Sequence, residues 1–323
     1  MSRNSTISRL RKRFRQFGGL KLVATYIRFG VFGEFLKQGL KVLSGRCSVN
    51  EAYSRIERKV IPKLQKQYQP LLEDLAGRYE NLELTHEKKD AIWVCWFQGM
   101  DQAPEIVKIC NESLHRYING REIIVITEEN IGEYVSFPDY IQKKYKQGKI
   151  PMAQYSDLLR LELLIRYGGT WIDSTVLCTG DHFPKEVLDS DLFFFQFIKE
   201  GADRVQGISN WFITASSNQK VLLILRDMLY RYWQDYDCLV AYFVFHVFFA
   251  MIARKLPEEV TKMPRISNKY CFYLEHRLAD EYDEQWLKEL TDRCCFHKLN
   301  SRLWNEAERK DNTFLCKIKS WYL

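Results

Sequence analysis

The segment from Met152 to Val176 constrains the fold more than any other stretch of the chain. A helix-length run from Met152 to Tyr167 stops on Gly168 and Gly169, and the strand-like TWIDSTV, Thr170 to Val176, follows without a further linker. The residues before it supply matching elements. AIWVCWF (91 to 97) reads as a buried strand, Pro104 opens a helix running to about Tyr117, and EIIVIT (122 to 127) reads as a second strand. Strand, helix, strand implies a parallel pair. DLFFFQF (191 to 197) and NWFITA (210 to 215) are further strand candidates, with helices expected near 217 to 233 and 238 to 254. This alternation predicts an α/β fold: a Rossmann-like, mostly parallel sheet with helices on both faces.

Three parts are expected: a basic amphipathic helical arm over 1–46, a helical lead-in over 47–89 with Pro62 and Pro70 as breaks, and a main domain over 90–323. The hydrophobic fraction of 46% over 323 residues is enough for a sizeable core. Residues 1–46 hold eleven Lys or Arg against the single acidic Glu34, a local charge of +10 in a chain of +7, which leaves −3 for the rest. A nucleic-acid protein would spread its basic residues over the folded body, so no nucleic-acid partner is expected. In the arm, Ile7, Leu10, Phe14 and Phe17 recur at helical spacing among Arg9, Arg11, Lys12, Arg13 and Arg15. Two readings stay open: a helix lying on an anionic membrane, or a basic terminus that is solvated or docked on its own domain.

No segment is expected to cross a bilayer, which takes roughly 20 apolar residues. Lys21, Arg28, Lys37 and Lys41 interrupt the first apolar region and argue equally against a secretory leader. The run Cys238 to Ala253, bounded by Asp237 and Arg254, reads as a buried helix with His246 as a hydrogen-bonded core residue. Nine cysteines with no CxxC pair suggest reduced thiols and a cytoplasmic location, possible also on the inner face of the cell membrane.

Ligands of open α/β sheets bind beyond the carboxyl ends of the strands, where Asp173 is expected. In a strand, Trp171, Asp173 and Thr175 share a face, a spacing that suits a divalent ion and a phosphate. Asp157 and Arg160 lie one helical turn apart and project from one face of their helix. The plain alternative for that pair is a surface ion pair.

YSDLLRLELLIRYGGTWIDSTV (155 to 176) resembles the segment of sugar-transferring enzymes that reads Ser-Asp, two residues, Arg, a helix, Gly-Gly, an aromatic, then Asp-x-Asp. The resemblance is to glycosyltransferase family 32 and, more closely, to the bacterial capsular polysaccharide synthesis proteins. It extends well over about Ile92 to Gly180 and loosely elsewhere. It implies a fold of the glycosyltransferase A type, a nucleotide-sugar donor, a glycan or lipid-linked acceptor, retention of configuration, and Mn²⁺ or Mg²⁺ on the donor diphosphate. By motif position Asp173 would be the catalytic aspartate and a metal ligand, with Asp157, Arg160 and Ser174 on the donor. The second motif aspartate is Thr175 here, a weaker ligand for a hard cation than a carboxylate. IWVCWFQG (92 to 99) resembles the opening strand, so Trp96 would stack on the nucleobase, unless it and Trp93 are core residues. Asn210 and Trp211, and the Tyr242, Phe243, His246 cluster, match acceptor-side or metal-adjacent positions, and Asn210 is counted with the donor-binding residues. The alternative is a non-catalytic scaffold on a degenerate transferase fold.

Overall fold

The computed structural model describes residues 11, 14, 15, 17–83, 85, 87, 89–198, 207–308 and 311–322. Contacts divide the chain into two units that interleave in sequence: Met1–Leu82, Phe137–Leu159 and Lys220–Pro257 in one, and Glu83–Ser136, Arg160–Gln219 and Glu258–Leu323 in the other.

The first unit is helical. Its axis is the helix Val49–Arg78, opened by a capping box in which the Ser48 hydroxyl accepts from the Glu51 N–H at 3.2 Å and the Glu51 carboxylate accepts from the Ser48 N–H at 2.7 Å. Pro62 and Pro70, expected as breaks, lie inside this continuous helix. Each proline costs about 3 kcal/mol in a helix interior. Against that, Tyr53, Ile56, Val60, Leu64, Tyr68, Leu72 and Leu75 are buried along one face, and each large apolar side chain contributes about 1.5–3 kcal/mol on burial. Packing therefore carries the helix through both prolines. Lys220–Asp235 and Val244–Lys255 pack on it: Tyr68 donates to Asp235 and Tyr79 to Asp227, both at 2.8 Å, and the Tyr68 ring lies 4.9 Å from that of Phe248.

Part of the basic arm lies within the described residues. Ile7 and Leu10 lie outside the described residues. Phe17 is buried, edge-on to Tyr53 at 5.0 Å, and its carbonyl accepts from the Leu239 N–H. The Asp237 carboxylate is pushed up by burial, but hydrogen bonds from Lys21, Lys144 and Lys149 hold it well below the usual carboxylate range. The helices Leu20–Arg28 and Phe32–Leu43 thus dock on their own unit through Leu22, Tyr26 and Val42. Their other faces expose Leu20, Ala24 and Ile27 on one helix and Leu36, Leu40 and Leu43 on the other, both at i, i+4, i+7 spacing.

The second unit holds a five-stranded sheet of order β2-β1-β3-β6-β5, built from β1 (Ala91–Cys95), β2 (Glu122–Ile126), β3 (Gly169–Ile172), β5 (Leu192–Phe197) and β6 (Gly207–Ala215). β2, β1 and β3 pair in parallel, and β6 runs antiparallel to both β3 and β5. Four strands therefore share one direction and β6 opposes them, the mostly parallel sheet the alternation implied. The two faces of β1 have different partners. Ile92 and Val94 join a cluster with Leu114 of the helix Glu105–Tyr117. Trp93, fully buried, meets Tyr134 and Tyr167 on the other face at 5.6 Å each, which settles it as core.

β3 lies unusually close to the start of β1. A Cβ on Gly169 (φ +95°) would lie 2.6 Å from the Ala91 carbonyl oxygen and 3.0 Å from that of Lys89, so this position excludes any side chain. Gly168 (φ +66°) precedes it, and its carbonyl accepts from Trp93 Nε1 at 2.9 Å. The glycine pair read from the sequence as a helix stop is also what lets the two strands pair. A second, two-stranded sheet pairs β4 (Val176–Cys178) with β7 (Phe296–Lys298) antiparallel. Among the described residues no helix is long and apolar enough to cross a membrane. All nine cysteines are free thiols.

Candidate functional site

TWIDSTV does not form one strand. β3 ends at Ile172 and β4 begins at Val176, with a turn between them closed by the Val176 N–H on the Asp173 carbonyl at 3.0 Å. Asp173, Ser174 and Thr175 therefore sit on a turn at the carboxyl end of a central strand, and strand alternation does not set their directions. What sets them is packing. The Asp173 N–H donates to the Trp211 carbonyl at 2.8 Å, extending the β3–β6 ladder by one residue. Its Oδ1 accepts from Trp171 Nε1 at 2.9 Å and lies 3.5 Å from a terminal nitrogen of Arg160. Its Oδ2 lies 3.6 Å from Lys298 Nζ.

The two cations differ in how they are held. The Arg160 guanidinium, 6% exposed, lies over the Trp171 ring at 4.9 Å and donates to the Asn210 carbonyl. It is enclosed on several sides. Lys298, with a side chain 21% exposed, is fixed by the β4–β7 pairing, in which it stands opposite Val176. Its Nζ donates to Thr175 Oγ1 at 2.5 Å, and the Leu299 N–H donates to the Thr175 carbonyl at 2.9 Å. At the end of the neighbouring β1, burial pushes the Cys95 thiol up to about 12; Arg160 acts against that and Asp173 adds to it. This thiol stays protonated and is no nucleophile.

The sequence-nominated residues thus separate. Asp173, Thr175, Arg160 and the Asn210 backbone come together, and Ser174 occupies the turn between the first two. Trp96 follows β1 on the same strand edge, half-buried against a second core cluster, with its indole N–H unpartnered among the described residues. Trp211 stacks on Phe195 at 5.1 Å within the core. Asp157 is buried on the helix Met152–Tyr167 and, with Tyr242, Phe243 and His246, belongs to the helical unit. There the His246 ring meets Phe243 edge-on at 5.4 Å. The cleft lined by Lys21, Thr25, Arg28 and residues 234–238 carries none of the nominated residues.

Lys298 escapes the sequence reading. It is 123 residues from Thr175 on a three-residue strand, and only the register of β4 with β7 brings it to the motif.

The donor set can be tested against the divalent ion that the Asp-x-Asp resemblance implies. Hard divalent cations take oxygen ligands, usually including one or two carboxylates. Here the two oxygens in question, Asp173 Oδ2 and Thr175 Oγ1, already face one ammonium, and the other carboxylate oxygen faces a guanidinium. Among the described residues no group of three or more His, Cys, Asp or Glu could hold a metal. An ion between Asp173 and Thr175 would have to expel Lys298, so these residues do not fit it.

A carboxylate flanked by two cations thus sits at the carboxyl end of a central strand of an α/β sheet. The chain belongs to the capsular polysaccharide synthesis protein family, whose model matches residues 44–318. Among solved structures, a chain described as PaToxG Glycosyltransferase is similar at 14% identity, with 79% of this chain and 96% of that chain covered and a TM-score of 0.36. No curated protein matches.

Proposed function

We propose that this protein is a nucleotide-sugar-dependent glycosyltransferase of capsule or cell-surface polysaccharide synthesis. The observation that carries the reading is the Asp173 turn, where one carboxylate organises Arg160 and Lys298 at the strand end. Transfer of a sugar leaves a nucleoside diphosphate, and fixed cations aimed at the departing oxygens lower the barrier because their dipoles need no reorganisation. Arg160 is enclosed, so it sets the position of Asp173. Lys298 faces the ligand. Trp96, on the same strand edge and half-buried, offers an indole face to the nucleobase, and Ser174 lies within reach of the phosphates. Asp157, one helical turn before Arg160, is the further donor contact that the family resemblance nominates. Retention by a front-face path asks for no protein base.

The test is release of nucleoside diphosphate from a panel of UDP-, GDP- and CDP-sugars, with and without a crude glycan or polyprenyl-linked acceptor. One nucleotide class is expected to turn over. Neither turnover nor binding with any of them would favour the scaffold reading.

The acceptor is expected at an anionic membrane surface. Leu20, Ala24 and Ile27 with Leu36, Leu40 and Leu43 form outward apolar stripes flanked by Arg28, Lys37 and Lys41, the composition of an interfacial helix pair. This moves the membrane contact from Phe17, which is buried, to the helices that follow it. Replacing Leu20, Ile27, Leu36 and Leu40 by Ser removes four exposed side chains and spares the docked face. At about 1.5–3 kcal/mol for each large apolar side chain buried, flotation with vesicles containing anionic lipid should fall by more than tenfold. Unchanged flotation would remove the membrane from this account.

A further inference from the structure

The Asp173 turn carries a cation of its own. Lys298 Nζ lies 2.5 Å from Thr175 Oγ1 and 3.6 Å from Asp173 Oδ2, between the two oxygens that would otherwise be offered to a metal. An ammonium has three N–H donors. One is committed to Thr175. The contacts to the Leu299 carbonyl, at 3.4 Å, and to Asp173 are longer than a good N–H···O bond, so two donors can turn to an incoming acceptor. The stem cannot drift, because Lys298 is registered against Val176 and the Leu299 N–H is bonded to the Thr175 carbonyl.

Charge points the same way. At the turn a divalent cation would enter beside two like charges, Arg160 and Lys298, whereas an anion would meet the Lys298 ammonium. Arg160 cannot turn outward without leaving both the Trp171 face and the Asn210 carbonyl. Glu275 adds a nearby carboxyl, which burial pushes upward and whose charged form Lys298 favours. Of the two cations Lys298 is the more accessible.

We propose that Lys298 is the resident cation of the donor site: its ammonium contacts the diphosphate of the nucleotide sugar directly, and nucleotide binding at this turn needs no divalent ion. The proposal rests on the nucleotide-sugar reading above. It makes Lys298 a ligand-touching residue and Thr175 the group that aims it. The replacement of the second motif aspartate by threonine then has a physical reason. A second carboxylate would pair with the lysine and hold it back from phosphate, whereas a hydroxyl accepts one N–H and leaves the charge free.

The experiment is a thermal-shift titration of the full chain with UDP, GDP and CDP, each in EDTA and in MnCl₂, on the wild type, Lys298→Met and Lys298→Arg. A ligand that binds only the folded state must raise its melting temperature. One nucleotide is expected to stabilise the wild type equally in EDTA and in Mn²⁺. Loss of a charge-assisted hydrogen bond predicts about 10- to 100-fold weaker binding for Lys298→Met, and Lys298→Arg should stay within about tenfold of the wild type by keeping the charge. A wild-type shift seen only with Mn²⁺, or Lys298→Met binding in EDTA as tightly as the wild type, would overturn the proposal and leave the transferase reading standing. No shift with any nucleotide in either condition overturns both. Should Lys298→Met melt without ligand as an unfolded chain, the EDTA comparison on the wild type and Lys298→Arg still decides.

Discussion

Asp173→Asn keeps its fold and slows sugar transfer by about 10²- to 10³-fold, the effect of removing one preorganised electrostatic group from an active site. The amide is the same size, and its oxygen can still accept from Trp171 Nε1, so the turn between β3 and β4 stays closed. What disappears is the charge that holds Arg160 on one oxygen and Lys298 on the other. The stability cost is small by comparison. Breaking a fully buried pair costs about 3–5 kcal/mol, but the Asp173 side chain is 26% exposed and Arg160 keeps the Asn210 carbonyl and the Trp171 face. Discounted for solvent, about 1–2 kcal/mol is expected. Initial rates on whichever donor turns over, alongside urea denaturation, read the two effects separately. Activity within about threefold of the wild type would take Asp173 out of the chemistry. A loss of activity matched by a loss of several kcal/mol of stability would make it structural instead.

The same residues show what a sequence can and cannot carry. The helix Met152–Tyr167, the glycine stop and the strand after it were legible because each has a local cause: sixteen residues without Gly or Pro, two glycines that take the left-handed φ of a helix end, and the β-favouring Thr-Trp-Ile that follows. β1, the helix Glu105–Tyr117 and β2 were legible for the same reason. The break at Asp173 was not, because TWIDSTV has strand composition throughout, and the turn exists only because β4 leaves the main sheet to pair with β7. Pro62 and Pro70 misled in the opposite direction, since their local cost is outweighed by a buried face that local reading does not price. The reversed direction of β6 was hidden as well. Period and composition are the same for a parallel and an antiparallel strand, and the 16 residues from Val176 to Asp191, with their own short strand and helix, gave no hint of a chain turning back. At the site, Asp173 and Arg160 lie in one readable motif, but Lys298 arrives through a pairing across more than a hundred residues. No pattern in FHKL announces it.

The strand that delivers Lys298 should also make the fold acid-sensitive. His297 is fully buried beside it, with Nε2 3.1 Å from Thr179 Oγ1. Burial pushes its imidazole down to about 4 from the ordinary 6.5, opposed by the backbone at Cys294. The depressed value means that the folded chain refuses a proton the unfolded chain accepts. Stability from this residue is therefore complete above about pH 6.5, falls as the pH drops, and is fully lost near pH 4, below which both states are protonated. At 1.36 kcal/mol per pH unit the loss is about 3 kcal/mol, a large part of the 5–15 kcal/mol that holds a typical domain together. His297→Gln offers Thr179 an amide partner and cannot titrate. Urea midpoints at pH 7, 5.5 and 4.5 should fall less steeply for the variant than for the wild type, and their difference isolates His297 from the carboxylates that titrate in the same range. Parallel slopes would mean that the imidazole is hydrated or charged in the folded state. Because His297 and Lys298 are neighbours on the three-residue β7, acid that opens this strand also withdraws the lysine from Thr175, so nucleotide binding should fail within the same window and recover on return to neutral pH.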